Sequence, residues 1–274
     1  MKRLSWDKPL IYLILSVGAI LMLLPFLWML STSFKTIAES LQFPPTWIPQ
    51  HFTLENYKIV WTKVNFPRYI WVSTVVTFFT LIGVLITATI TAYALSWFHF
   101  KGREVVFVAI LSLMMVPIPV YVVPLFILVQ SLGWVDTFYA LIVPWTVNIF
   151  GIFLLRQHFR SVPRDLYDAA VIDGCGRLRF LWQILIPLTK PALVTIAVFE
   201  IIGSWNAFMW PLMVTNSDHM RPIQVGLAYF AQGESTNYPA LMAASTIVIL
   251  PLIILFFLAQ KQIVESYSRS GLKE

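Results

Sequence analysis

Apolar positions along the chain gather into long runs, near residues 10–30, 70–97, 105–129, 139–155, 192–214 and 239–259. Each run approaches the roughly 20 residues that an α-helix needs to cross the hydrocarbon core of a bilayer. The polar/apolar alternation of barrel strands is missing from them, which excludes a transmembrane β-barrel. The predicted class is therefore an all-α integral membrane protein with six transmembrane helices. The run at 10–30 carries no charge and follows Lys2, Arg3 and Lys8, the order found in a signal peptide. It is too long for one and lacks a small-residue cleavage site, so it reads as an uncleaved anchor.

The polar segments between the runs set the orientation. Of the 19 Lys and Arg, fourteen fall on the side that holds the N-terminus, the 98–104 turn, the 156–191 loop and the C-terminal tail. Basic residues near span ends favour the cytoplasm. Both termini and the 156–191 loop are thus expected inside a bacterial or archaeal cell membrane, with residues 31–69 and 215–238 outside. Those two outer segments either meet an extracytoplasmic partner or merely connect spans. The 274 residues are 58% hydrophobic and 12% charged, about half the charge of a soluble domain. The net charge of +6 follows this topology, so nucleic acid is not expected as a partner. A single cysteine, Cys175, gives no internal disulfide and no metal-binding spacing.

The long basic loop carries the most specific pattern. Asp168, Ala169 and Ala170 are followed by Gly174, Ile184 and Pro187 at fixed intervals. Ser161 is expected to cap, and Pro163 to start, a short helix that ends near Asp173, with Gly174 as the left-handed C-cap. Leu166, Ala169 and Ala170 then share one face, small enough for another protein's groove, with the Asp168 carboxylate beside it. Phe180, Ile184 and Pro187 follow at i, i+4 and i+7, the stripe of a helix packing back onto the bundle. Pro187 and Pro191 end that helix before the fifth span. The expected product is a helix–Gly–helix elbow that grips a partner; the alternative is an interfacial hairpin with none.

This segment resembles the E-A-A-x3-G-x9-I-x-L-P loop of the membrane subunits of binding-protein-dependent ABC importers. Asp168 stands for the usual Glu, Ile186 for Leu, and Cys175 where Ala is common. Ala92-Tyr93-Ala94-Leu95, Ser204-Trp205-Asn206, Trp210-Pro211-Leu212 and Val225-Gly226-Leu227 resemble the carbohydrate branch, and the chain is similar to the smaller permease of maltose-type importers. The tail Gly271-Leu272-Lys273-Glu274 keeps that family's Gly and Lys but ends in Glu. The resemblance implies a type I ABC importer permease fold with a cytoplasmic coupling helix. It divides the chain into an anchor and external loop (1–69), a transport core (70–262) and a cytoplasmic tail (263–274). It also implies a second permease as heterodimer partner, an ABC ATPase dimer holding ATP and Mg2+, and an extracytoplasmic sugar-binding protein. Asp168, Ala169, Ala170, Gly174, Ile184 and Pro187 would then dock the ATPase, and this chain would bind no cofactor or metal itself.

Inside the membrane, Glu200 is the costliest residue, by about 2–4 kcal/mol. Gly203, Ser204 and Ala207 share its helical face, while Asn206 points about 120° away at 100° per residue. One reading is a sugar-translocation surface formed by Glu200, Ser204, Trp205 and Asn206, with Asn148 in the fourth span as a weaker member. The other is helix packing through small residues, with Glu200 protonated or paired. The chain has no G-x-x-x-x-G-K-[ST] sequence to cradle ATP, no H-E-x-x-H and no G-x-S-x-G. It is therefore expected to be a non-enzymatic translocation subunit. A stand-alone secondary transporter would show internal inverted repeats with paired broken helices.

Overall fold

The structure, a computed structural model, describes residues 7–63, 65–233 and 237–270. Helices dominate, and no strand occurs among the described residues. In chain order they are α1 (Asp7–Ser33), α2 (Ile37–Ser40), α3 (Glu55–Lys63), α4 (Phe66–Trp97), α5 (Arg103–Ser112), α6 (Ile118–Ser131), α7 (Phe138–Ile142) and α8 (Ile149–Ser161). Then come α9 (Arg164–Ile172), α10 (Arg177–Phe180), α11 (Ile186–Leu188), α12 (Lys190–Trp205), α13 (Met209–Val214), α14 (Ile223–Gly233) and α15 (Tyr238–Ser270). Lys2, Arg3 and the tail at 271–274 lie outside the described residues.

Four segments are long and apolar enough to cross a membrane: Pro9–Ser33, Phe66–Trp97, Phe138–Ser161 and Tyr238–Gln260. Two more become spans when a bent pair is taken as one. Arg103–Met115 meets Ile118–Ser131 at 99°, and Arg177–Leu188 meets Lys190–Trp205 at 78°. The first bend falls at Pro117 and the second at Thr189, beside Pro187 and Pro191, where proline rings oppose continuous helix.

Besides the third run, bent at Pro117, two predicted spans are interrupted, and proline explains both. The fourth run holds α7, a tight turn at Val143–Trp145, and α8. Pro144 has no N–H to give the Ala140 carbonyl, and its ring crowds that oxygen; the Trp210 indole donates to it instead at 2.9 Å. The fifth run, expected as one helix over 192–214, stops at Trp205 and resumes at Met209. Pro211 stands four residues after Ala207 and blocks the helix there in the same way.

The chain divides into two compact units. One joins Met1–Pro67 to Gly226–Pro251. Within it α1 is unburied throughout its most apolar stretch, so lipid or another protein must cover it. The segment after α1 is folded tightly rather than being a loose connector. Lys35, 1% exposed, lies 4.3 Å from the Trp28 ring centroid and donates to the Thr46 carbonyl. Asn56 donates to the carbonyls of Ser33 and Lys35, both at 2.8 Å, and Phe34 stacks on Phe52. Glu39 accepts the Gln50 N–H at 2.7 Å. Burial alone would raise the Glu39 carboxyl; the N–H groups of Gln50 and His51, the Thr46 hydroxyl and the Lys35 charge outweigh it and hold its pKa below the ordinary value.

The other unit, Arg68–Val225 with Leu252–Glu274, contains both candidate sites. One core cluster packs Ala88, Ala92, Leu155, Phe159, Leu185 and Ile196 from α4, α8 and the elbow–α12 region. Gly151 lets these helices approach: a β-carbon there would lie 3.4 Å from both Ala88 Cβ and Ile196 Cγ2. A second cluster gathers Val72, Val76, Val122, Leu141, Trp210 and Val214. Asp136 ties the turn after α6 to the turn after α13, accepting the N–H groups of Asn216 at 2.9 Å and Ser217 at 3.0 Å.

Candidate functional site

The elbow begins with α9. Its start departs from the expectation: Ser161 ends α8, its hydroxyl donating to the His158 carbonyl, and Pro163 sits at the cap position rather than in the first turn. Its end follows local turn chemistry. Cys175 N–H donates to Ala170 O at 2.8 Å and Gly174 N–H to Val171 O at 3.0 Å, the paired bonds of a Schellman stop. Gly174 sits at φ 77°, a conformation in which a β-carbon crowds the backbone.

The faces of α9 differ from the expected ones. Ala170 is only 6% exposed and packs into the core, so it does not share the outward face of Leu166 and Ala169. Leu166, Asp168, Ala169 and Ile172 face outward, Ile172 at 86% exposure. Beyond Gly176, Phe180, Leu181 and Leu185 are buried and Ile184 is half-buried, whereas Pro187 is exposed. The i, i+4, i+7 stripe fails at Pro187 because Leu181–Leu185 is a π-turn, which widens the helix and shifts its register.

Arg164 of the elbow and Arg156 of α8 both reach the end of α4. The last carbonyls of a helix lack internal partners and carry partial negative charge. Arg164 donates to Ser96 O at 3.0 Å and lies 4.5 Å from the Trp97 ring centroid. Arg156 donates to Leu95 O at 3.2 Å and to both Glu104 carboxylate oxygens at 2.7 Å. Tyr167 of α9 packs edge-on against Phe180 and touches Trp97. The Tyr93 hydroxyl donates to Arg177 O at 2.9 Å. A hollow of about 750 Å³ opens beside these groups, with Arg164, Tyr167, Asp168 and Arg177 on its wall.

The second site is a cavity of about 360 Å³ on α12 and its neighbours. Glu200, Gly203, Ser204 and Ala207 all line it, in keeping with their shared helical face. Asn148 joins them from α8. Its Oδ1 accepts the Gly151 N–H at 2.9 Å as the N-cap of α8, which turns its Nδ2 toward Glu200 Oε2 at 3.0 Å. Ser204 is hydrogen-bonded to Thr77 at 3.2 Å, and Trp145 and Trp210 supply aromatic wall. Two expected members are absent from the lining. Trp205 is 6% exposed, buried rather than presented. Asn206 bonds instead to Gln224 at 3.1 Å and to the Ile202 carbonyl at 2.9 Å. Thr80, which no sequence pattern singles out, also lines the cavity.

Comparison with known proteins gives a consistent result. Residues 85–269 match the family described as binding-protein-dependent transport system inner membrane component. The diacetylchitobiose uptake system permease protein NgcG of Streptomyces coelicolor is 32% identical over 93% of this chain and 86% of its own. The trehalose/maltose transport system permease protein MalG of Thermococcus litoralis is 36% identical over 95% and 96%. Among solved structures, a bacterial ABC transporter involved in import of the acidic polysaccharide alginate superimposes with a TM-score of 0.84 at 26% identity, covering 95% of this chain and 99% of that one.

Proposed function

Because this chain belongs to the inner membrane components of binding-protein-dependent transport systems, we propose that it carries a carbohydrate into the cytoplasm as one permease of an ATP-driven importer. That family sets aside the stand-alone secondary transporter. The relatives are permease proteins for diacetylchitobiose and for trehalose and maltose, which supports an oligosaccharide or related sugar as cargo. With no phosphate-cradling G-x-x-x-x-G-K-[ST] sequence in this chain, ATP and Mg2+ belong to a separate ATPase dimer. A second permease completes the pathway, and an extracytoplasmic binding protein delivers the sugar to the outer face. Residues 70–262 form the transport core, between the anchor with its outer loop (1–69) and the tail (263–274). The basic residues favour a cytoplasmic location for both termini and the elbow.

The observation that carries this reading is the elbow. It presents Leu166, Ala169 and Ile172 outward beside Asp168, stops at a left-handed glycine, and is fastened by Arg164 to the end of α4. Such a face suits a groove on the ATPase that accepts small and aliphatic side chains and pairs a cation with Asp168. ATP then acts through its different affinity for two arrangements of the bundle. Purification of the chain from its native membrane in mild detergent tests this. The P-loop ATPase should copurify, and Ala169→Trp should release it while the permease stays inserted. A chain that purifies without any ATPase overturns the reading.

A further inference from the structure

Among the described residues lining the membrane cavity, Glu200 is the only charged one, set among apolar and neutral polar neighbours. Its position is specified by Asn148, whose Nδ2 donates to it at 3.0 Å and whose amide is itself oriented by the Gly151 N–H. A second observation marks the cavity as a place for a polar solute. Thr80 is 1% exposed and lines the wall, yet its Oγ1 has no hydrogen-bond partner among the described residues. Buried hydroxyls are normally paired, so this one, sealed from the cavity as it stands, has no bond to give up in turning toward a polar solute. The volume of about 360 Å³ falls within the range of small-molecule sites, roughly 300–1,000 Å³. The indole of Trp145 on the same wall offers an apolar surface to the C–H face of a sugar ring.

We propose that this cavity is a selectivity station on the transport path, admitting neutral or amine-bearing sugars and rejecting those that carry carboxylate, phosphate or sulfate groups. The inference rests on the transport reading above and adds the substrate charge class. The Glu200 carboxylate accepts sugar hydroxyls or an ammonium group, and the Thr80 hydroxyl, once turned toward the cavity, bonds to the same solute. An anionic sugar meets a like charge with no arginine or lysine among the described lining residues to offset it, and in a site partly removed from water that repulsion is weakly screened. This chain would therefore differ in cargo from the similar alginate transporter, whose polysaccharide is acidic.

The test reads the field inside the cavity without knowing the sugar. In a Cys175→Ala background, Ser204→Cys and, separately, Ala207→Cys place a thiol on the wall of the membrane-embedded protein. Each is labelled with cationic, neutral and anionic methanethiosulfonates, with rates normalised to those of a small thiol in water. The cationic reagent should react faster than the anionic one by on the order of tenfold, and Glu200→Gln should abolish the difference. Equal rates, a preference that persists in Glu200→Gln, or no labelling by any reagent at either position overturns the proposal. Any of these results leaves ATPase copurification untouched, so failure here is separable from failure of the importer reading.

Discussion

Asn148 and Glu200, 52 residues apart in sequence, are joined through Nδ2 and Oε2 at 3.0 Å, and the same Asn148 side chain caps α8 through its Oδ1. One amide thus fixes both the start of a helix and the carboxylate on the cavity wall. The two roles can be separated by substitution. Asn148→Asp keeps an oxygen for the Gly151 N–H but sets a second carboxylate against Glu200, so uptake should fall sharply while the protein remains folded. Asn148→Ala loses the cap as well, at a cost of about 1 kcal/mol, and should lower the melting temperature of the purified protein. Uptake by Asn148→Asp equal to wild type would show that this pair is dispensable for transport.

Gly174 should tolerate replacement by Asn better than by Ala or Val. Its φ of 77° costs a β-carbon about 1–2 kcal/mol, whereas Asn visits that region more readily. A β-carbon at this position would have no heavy atom within 4 Å beyond its chain neighbours, so strain and not crowding sets the penalty. Uptake should rank Gly, then Asn, then Ala, then Val, at equal levels of inserted protein on immunoblots.

Gly83 presents the opposite case. A β-carbon there would sit 2.5 Å from Thr146 Cγ2 and 2.8 Å from its Cβ, next to the backbone of the broken fourth span. Thr146 is held by the Thr87 hydroxyl, which donates to its carbonyl at 2.6 Å, and so has little room to retreat. Gly83→Ala should destabilise the purified protein by about 1–3 kcal/mol through overpacking, read as a lower midpoint in chemical denaturation. An unchanged midpoint would mean that α4 and the 146 turn separate easily.

Asp136 makes the turns after α6 and α13 acid-sensitive. Burial alone would raise its carboxyl, but the Ser217 hydroxyl, the N–H groups of Ser217 and Asn216 and the Arg221 charge together hold it below its ordinary value of 3.8. A depressed folded-state pKa contributes stability that is complete above the ordinary value and is lost as pH falls through the folded one. Hydrogen exchange at the Asn216 and Ser217 amides should therefore be flat from neutral pH down to mildly acidic conditions and speed up only below about pH 4, beyond the intrinsic trend. Asp136→Asn, which tolerates the φ of 62° found there, should remove the acid step.

Local chemistry was the legible part of this molecule. The turn at Gly174 depends on residues within one helical turn of it, and the shared face of Glu200, Ser204 and Ala207 follows from helical pitch alone. Long-range partners were not legible. Nothing near Arg156 or Arg164 in sequence indicates that both would meet the carbonyls ending α4, and Thr80 differs from other span threonines only through what surrounds it. The breaks at Pro144 and Pro211 could have been anticipated, because both prolines lie well inside apolar runs. The runs were long enough to read as continuous all the same. The inward turn of Ala170 depends on packing against Tyr167 and Phe180, which no helical wheel of α9 by itself reveals.

The grip of Arg164 and Arg156 on the last turn of α4 has a mechanical consequence. From Ser96 to Thr80 the helix runs sixteen residues without interruption, a stiff rod of about 24 Å at 1.5 Å per residue. Twisting or tilting its Ser96 end swings Ser73, Val76 and Thr80, three members of the cavity wall, like the blade of an oar whose handle is held at the elbow. Any displacement of the elbow thus reaches the cavity wall through α4, in addition to α12, which continues the elbow along the chain.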